Sequence, residues 1–263
     1  MRYLFKDSNK IFKEAKGKYL SLFLDCDGTL APIVDTPDKA VIPRRTKDLI
    51  IALSRKNNCS VAVISGRSLA DIKKKCGIRG IIYSGNHGFQ ISGPKLRFTR
   101  SLAASYKKIL RGIKSILKQR LSGIKGVLIE DKGVCLALHF RLASRDSLPF
   151  INSVFRQATA FFTAENKIIV KAGKKVMEVA PADGWGKGKI VLWIMAKQRS
   201  ALKEKKIMPV YIGDDLTDED AFKALKGRGV TIFVGKPGSS GADYYLRGTR
   251  EVARFLRLIS GLK

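Results

Sequence analysis

The sequence predicts an α/β fold: a doubly wound, mostly parallel sheet with a smaller α+β domain inserted into it. Three observations lead there. Short apolar runs bounded by turn residues alternate with longer stretches of helical period. Two of those runs end directly in acidic clusters, and ligands of open α/β sheets bind outside such strand ends. The middle of the chain changes rhythm, to a helix followed by two strands, twice over.

Tyr19–Asp25 (YLSLFLD) reads as a buried strand, Arg44–Lys56 as a helix and Ser60–Ser65 (SVAVIS) as a second strand. Leu69–Cys76 is a short helix stopped by Gly77, and Gly80–Ser84 a third strand. Near the other end, Gly186–Lys197 is helical and Pro209–Gly213 is a strand. Thr217–Leu225 is helical, Val230–Val234 is a strand, and Thr249–Ile259 closes the chain as an amphipathic helix. In the middle, Leu102–Leu121 and Leu148–Phe161 read as helices. Val127–Ile129, Val134–Arg141, Lys167–Lys171 and Lys175–Ala180 read as strands, the last two joined by an Ala-Gly-Lys turn. The expected division is a core of residues 1–101 and 182–263 and an insert of residues 102–181.

Composition narrows the function. With 263 residues, 45% of them hydrophobic, the chain buries a sizeable core, which excludes disorder and disulfide-stapled miniproteins. No apolar run approaches the roughly 18–20 residues a membrane span needs. Met1–Lys18 is charged and lacks the apolar stretch of a signal peptide, so a soluble, cytoplasmic protein is expected. Cys26, Cys59, Cys76 and Cys135 form no Cys-x-x-Cys pair. They read as small buried hydrophobes, with a disulfide scaffold as the weaker alternative. The net charge of +29 invites a nucleic-acid reading. However, the basic residues are spread along the whole chain and no recognition module accompanies them. A solvated basic surface that attracts anionic substrates is the better account, with no specific nucleic acid as partner.

Asp25-Cys26-Asp27-Gly28-Thr29-Leu30 leaves the first strand, and Gly213-Asp214-Asp215-Leu216-Thr217-Asp218-Glu219-Asp220 leaves a later one. Seven of the 22 acidic residues lie in these two stretches, in a chain otherwise short of acids. Paired carboxylates at strand ends call for a cation, and oxygen-only ligands without histidine favour Mg2+ over zinc. Glu219 and Asp220 have a simpler explanation in a helix N-terminus. Ser65-Gly66-Arg67 offers a hydroxyl and backbone N–H groups to a phosphoryl oxygen, and Lys187 precedes the helix that leads to the second acidic strand.

Asp25-x-Asp27-Gly28-Thr29-Leu30, Ser65, Lys187 and Gly213-Asp214-Asp215-x-Thr217-Asp218 stand in the order of the four motifs of the haloacid dehalogenase-like phosphatases. With YSGNHG and the segments around Glu130 and His139, the chain resembles the trehalose-6-phosphate phosphatases over nearly its whole length. Cys26 stands where that family often carries an aromatic residue.

The resemblance implies Mg2+-dependent hydrolysis of trehalose 6-phosphate. Asp25 would be the nucleophile, Asp27 the general acid–base, and Ser65 and Lys187 the phosphoryl ligands, with Gly28, Gly66 and Arg67 as substrate-binding residues beside them. The metal would be held by Asp25, the Asp27 carbonyl and Asp214, with Asp215 and Asp218 orienting its waters and Lys187. The insert would be a cap whose Glu130, Lys132, Arg141, Lys174 and Glu178 contact the sugar. In this reading Glu130 and Lys132 point the same way, Arg141 ends the neighbouring strand, and Lys174 and Glu178 flank the hairpin. Asn86 and His87 would line the same cleft, and His139 reads as structural. A trehalose-6-phosphate synthase is the implied partner and a monomer the implied state. Alternatives are a phosphatase for sucrose-phosphate or mannosyl-phosphoglycerate, a non-catalytic partner protein, and a nucleic-acid-binding protein.

Overall fold

In the computed structural model, which describes residues 1–173, 175–202 and 206–262, the chain runs through β1 (Arg2–Tyr3), α1 (Ser8–Ala15), β2 (Tyr19–Leu24), α2 (Arg44–Ser54), β3 (Cys59–Ile64), α3 (Leu69–Cys76), β4 (Ile82–Gly85), β5 (Gln90–Gly93) and β6 (Leu96–Thr99). It continues through α4 (Ala104–Leu121), β7 (Leu128–Asp131), β8 (Leu136–His139), α5 (Leu148–Ala164), β9 (Ile168–Gly173) and β10 (Val176–Pro181). It closes with α6 (Lys187–Leu202), β11 (Ile207–Gly213), α7 (Glu219–Leu225), β12 (Val230–Val234), β13 (Tyr244–Leu246) and α8 (Thr249–Ser260). These elements divide into two units, Met1–Thr99 with Gly186–Lys263, and Arg100–Trp185. The second is wider at both ends than the insert read from the sequence. Arg100 pairs with Asp183 at 2.8 Å and lies over the Trp185 ring, which ties its ends together.

The first unit is a nine-stranded sheet in the order β1-β13-β12-β11-β2-β3-β4-β5-β6. It is parallel from β1 to β4, and β5 and β6 continue it antiparallel. Central β2 sits in register with β11 on one side (Leu22 opposite Val210) and β3 on the other (Leu22 opposite Val61). One face buries Leu20, Leu22 and Leu24 under apolar residues of α1, α2, α3 and α8. The other meets α6 and α7: Ser21 donates to Gln198 at 2.6 Å, and the Tyr211 ring packs edge-on against Phe222. A sheet covered on both faces needs evenly apolar strands, and the sequence has them. Ser68 caps α3 by accepting from Asp71 N, and Gly77 ends it at φ +63.

Three pieces have no counterpart in the sequence reading. Strands β1 and β13 pair with one another across nearly the whole length of the chain, and neither is long enough to show a period. The hairpin β5–β6 turns at Lys95, which carries a positive φ of 55°. Helix α1 lies in the charged Met1–Lys18 stretch and buries only Ile11 and Ala15.

The second unit is an antiparallel sheet, β7-β8-β10-β9, with α4 and α5 on one face. Ile113 and Leu117 of α4 and Ile151, Val154 and Phe155 of α5 pack against Leu136, Leu138 and Val179. Register places Glu130, Ala137, Glu178 and Lys171 in one row across the four strands. Alternation turns that row away from the helices. One expectation is corrected. Arg141 does not end a strand, because β8 stops at His139 and the chain turns there, with Ala143 N donating to Phe140 O.

Among the described residues no helix is long and apolar enough to cross a membrane. All four cysteines are buried and unbridged.

Candidate active site

Strands β2 and β11 run side by side in parallel, so the residues that follow them emerge together. Leu24 is opposite Ile212, and Asp25 N donates to Ile212 O at 2.9 Å. Asp25 continues the alternation of Ser21 and Phe23, which aims it at the α6 side of the sheet. There Lys187, the first residue of α6, donates to Asp25 Oδ1 and to Asp218 Oδ1, both at 2.7 Å. Asp25, Asp214 and Asp218 are all buried and present ligand oxygens within 4.8 Å of one another.

Asp218 is saturated. Its Oδ1 accepts from Lys187 and from the Tyr211 hydroxyl at 2.6 Å, and its Oδ2 accepts from the backbone N–H groups of Asp214 and Asp215. Gly213 leaves room for it: a Cβ there would stand 2.2 Å from Asp218 Cγ. Asp215 lies outside the triad and caps the turn after β11, accepting from Leu216 N at 2.7 Å.

Burial drives the Asp25 carboxyl well above its ordinary pKa; Lys187 opposes this, while Asp218 and Asp214 push it further up. For Lys187, burial works against the charge, but the carboxylates of Asp218 and Asp25 outweigh it and hold the ammonium protonated. Three buried carboxylates thus face one buried ammonium, an excess of negative charge that a divalent cation would relieve. Gly28 completes the cradle: at φ +89 it lies so close to Asp214 that a Cβ would be 2.1 Å from Asp214 Oδ2. All-oxygen donors in a small pocket suit a hard cation.

Asp27 faces elsewhere. Arg67 grips it with two bonds, Nε to Oδ2 at 2.6 Å and Nη2 to Oδ1 at 2.7 Å, and reaches Asp71 Oδ2 with Nη1 at 2.7 Å. Burial opposes the Arg67 charge, and the hydrogen bonds and charge of Asp27 more than restore it. Ser65, buried at the end of β3, accepts from Arg67 N at 3.1 Å, and Asn86 N donates to Arg67 O. Gly66 links these two. The His87 backbone lies in the turn after β4, and its side chain is outside the described structure. Cys26 points to the other face of the sheet, where Cys76 hydrogen-bonds it and burial adds to the rise in its thiol pKa.

In the second unit, Lys132 lies between two carboxylates, 3.3 Å from Glu178 Oε1 and 4.0 Å from Glu130 Oε2. Burial opposes its charge, and Glu178 outweighs that. His139, read from the sequence as structural, holds a carboxylate. Its Nε2 is 2.9 Å from Glu130 Oε2, and this bond, with Lys132, holds the Glu130 pKa down against burial. Arg141 is exposed on the turn after β8, and Lys174 lies outside the described residues.

A family model described as trehalose-phosphatase matches residues 23–244. The chain belongs to the trehalose-phosphatase family. Trehalose-phosphate phosphatase B of Arabidopsis thaliana is 32% identical over 260 residues, which cover 94% of this chain and 68% of that protein. A trehalose-phosphate phosphatase of Mycobacterium marinum is 38% identical over 219 residues, 81% of this chain and 53% of that protein. The chain thus spans about half the length of the mycobacterial relative. The C-terminal domain of the C. albicans trehalose-6-phosphate phosphatase superposes with a TM-score of 0.81 at 27% identity, covering 97% of this chain and 95% of that one. A haloacid dehalogenase-like hydrolase from B. subtilis shares the fold, at a TM-score of 0.56 and 17% identity over 90% of this chain and 98% of that one.

For this member of the trehalose-phosphatase family, sequence reasoning missed two side chains that hold the site. Tyr211 sits two residues before Gly213 on the β2-facing strand and anchors Asp218. Asp71 in the first turn of α3 anchors Arg67. In the insert, His139, read from the sequence as structural, anchors Glu130. Each is legible only as a residue type that suits many roles.

Proposed function

We propose that the chain is a metal-dependent phosphatase that hydrolyses trehalose 6-phosphate to trehalose and phosphate. The observation that carries this reading is the buried Asp25–Asp214–Asp218 cluster, with Lys187 across it, at the ends of two adjacent strands in a chain of this family.

Asp25 attacks phosphorus and the bond from phosphorus to the sugar oxygen breaks, leaving an aspartyl-phosphate. Asp27 gives that oxygen its proton, then takes one from the water that cleaves the intermediate and frees phosphate. Lys187 and Ser65 bind the phosphoryl oxygens, where charge accumulates in the transition state. Gly66 offers its backbone N–H, and Gly28 its open space, to the same group. Asp25, the Asp27 carbonyl and Asp214 would hold Mg2+, with Asp218 and Asp215 placed to orient them, and the bound ion would offset the repulsion between an anionic nucleophile and an anionic ester. Asp218 already fixes Lys187, which supports its orienting role.

Glu130, Lys132 and Glu178, with Arg141 and Lys174, form the sugar-reading set of the insert, and Asn86 and His87 are the substrate-binding candidates of the core. Carboxylates and ammonium groups together offer the acceptors and donors that hydroxyls require. Four buried free thiols suit a reducing, cytoplasmic setting. The enzyme acts as a monomer on the ester that a trehalose-6-phosphate synthase forms. Phosphate release from a panel of sugar phosphates, with and without Mg2+, tests the reading. Selective, Mg2+-dependent turnover of trehalose 6-phosphate is expected, and equal turnover of every ester would refute the substrate assignment.

A further inference from the structure

Arg67 is the one cation of the SGR stretch, and its residue type suggests a phosphate ligand. Its geometry suggests a different task. Its side chain is only 10% exposed, and Nε, Nη1 and Nη2 are all engaged by carboxylates. The backbone is pinned as well: its N–H goes to Ser65 Oγ, and its carbonyl accepts from Asn86 N. Asp71, whose own N–H donates the cap bond of α3 to Ser68 Oγ, holds the far side of the guanidinium. Burial, a planar two-point fork and a fixed backbone make Arg67 a rigid bracket around Asp27.

We propose that Arg67 is a positioning residue for Asp27, locking the orientation of its carboxyl group, and that Asp71 in turn locks Arg67. Each carboxylate oxygen has two lone-pair directions, and the fork occupies one on each. The second remains for proton exchange with the sugar oxygen and the water. Without the fork, the 39%-exposed Asp27 side chain would swing among rotamers, and correct alignment would become rare. This inference rests on the acid–base role proposed for Asp27.

The test exploits leaving groups. A sugar 6-phosphate expels an alkoxide that must be protonated, whereas p-nitrophenyl phosphate expels an anion that needs no proton. Arg67→Lys keeps the charge and removes the fork. It should lower kcat for the sugar ester roughly ten- to a hundredfold, within the usual reach of general acid–base help. The loss on the aryl ester should be several times smaller, and KM for either ester should move little. In an Asp27→Asn background the same substitution should add almost nothing, since two groups acting as one unit are not additive. Asp71→Asn, which loosens the bracket without opening it, should show a weaker version of the same split. It also serves as the readout if Arg67→Lys folds poorly. Parallel losses on both esters with raised KM and weaker inhibition by inorganic phosphate would make Arg67 a phosphate ligand and overturn the proposal. So would an unchanged enzyme. If Asp27→Asn shows the leaving-group split and Arg67→Lys does not, only the positioning role fails. If Asp27→Asn itself shows no split, the acid–base assignment falls and takes this inference with it.

Discussion

Gly28 and Asp214 meet so closely that a single methyl group between them would stand 2.1 Å from a carboxylate oxygen. At φ +89 the backbone at 28 also favours glycine. Gly28→Ala should therefore push Asp214 out of the acidic cluster while the core stays folded. Phosphate release should fall at least a hundredfold, and the rise in Tm that Mg2+ confers on the wild type should shrink. Normal turnover with a normal Mg2+ response would show that Asp214 is not needed where it lies.

Lys187 is the counter-charge of Asp25 and Asp218, and all three are buried. Breaking a buried pair from one side costs about 3–5 kcal/mol, because the remaining charges are left uncompensated. Lys187→Met should melt well below the wild type in metal-free buffer and recover part of that loss when Mg2+ is added. Sugar and aryl phosphates should lose activity together, since the role proposed for the ammonium is on the phosphoryl group they share. Unchanged thermal stability would contradict the electrostatic account of the site.

Chelation should abolish activity and Mg2+ should restore it. Ca2+ should inhibit, because it is larger and takes more ligands, which disturbs the geometry of attack. Asp25→Asn should be inactive yet folded, as an amide is a poor nucleophile. Phosphate release that persists in excess chelator would remove the metal from the mechanism.

Glu130 and Glu178 stand on either side of Ala137 in the insert's sheet, with Lys132 between their carboxylates. A hydrogen bond to a charged group contributes about 1.5–3 kcal/mol, roughly ten- to a hundredfold in rate. Glu130→Ala should lower kcat/KM for trehalose 6-phosphate by that factor, with a far smaller loss on p-nitrophenyl phosphate, which carries no sugar. Equal losses on both substrates, with the protein still folded, would refute a sugar-reading role.

Tyr211→Phe removes one of four bonds to Asp218 and leaves Lys187 and two backbone donors in place. The cost should be modest, about 0.5–1.5 kcal/mol in stability. Turnover should drop several-fold as Lys187 loosens. A drop as large as that of Lys187→Met would mean that Tyr211 does more than anchor Asp218.

Much of this protein was legible from residues alone, because it is written in local rules. Tyr19–Asp25 reads as a buried strand, Gly77 as the stop of α3, and the acids concentrated after two strands mark the site. The departures are of another kind. No local period exposes the pairing of β1 with β13, which joins opposite ends of the chain. The strand β8 ends before Arg141 because the backbone turns at Phe140–Ala143, a stretch without the glycine, proline, asparagine or aspartate that usually announces a turn. Asp25 and Asp27 are the same residue type two positions apart, yet one meets Lys187 in a buried cluster and the other meets Arg67. Their order along the chain, the strand ends and the chemistry available followed from the sequence by itself. Which donor each carboxylate meets was decided only by the tertiary structure, because hydrogen bonds are set within tenths of an ångström by groups 40 and 162 residues away.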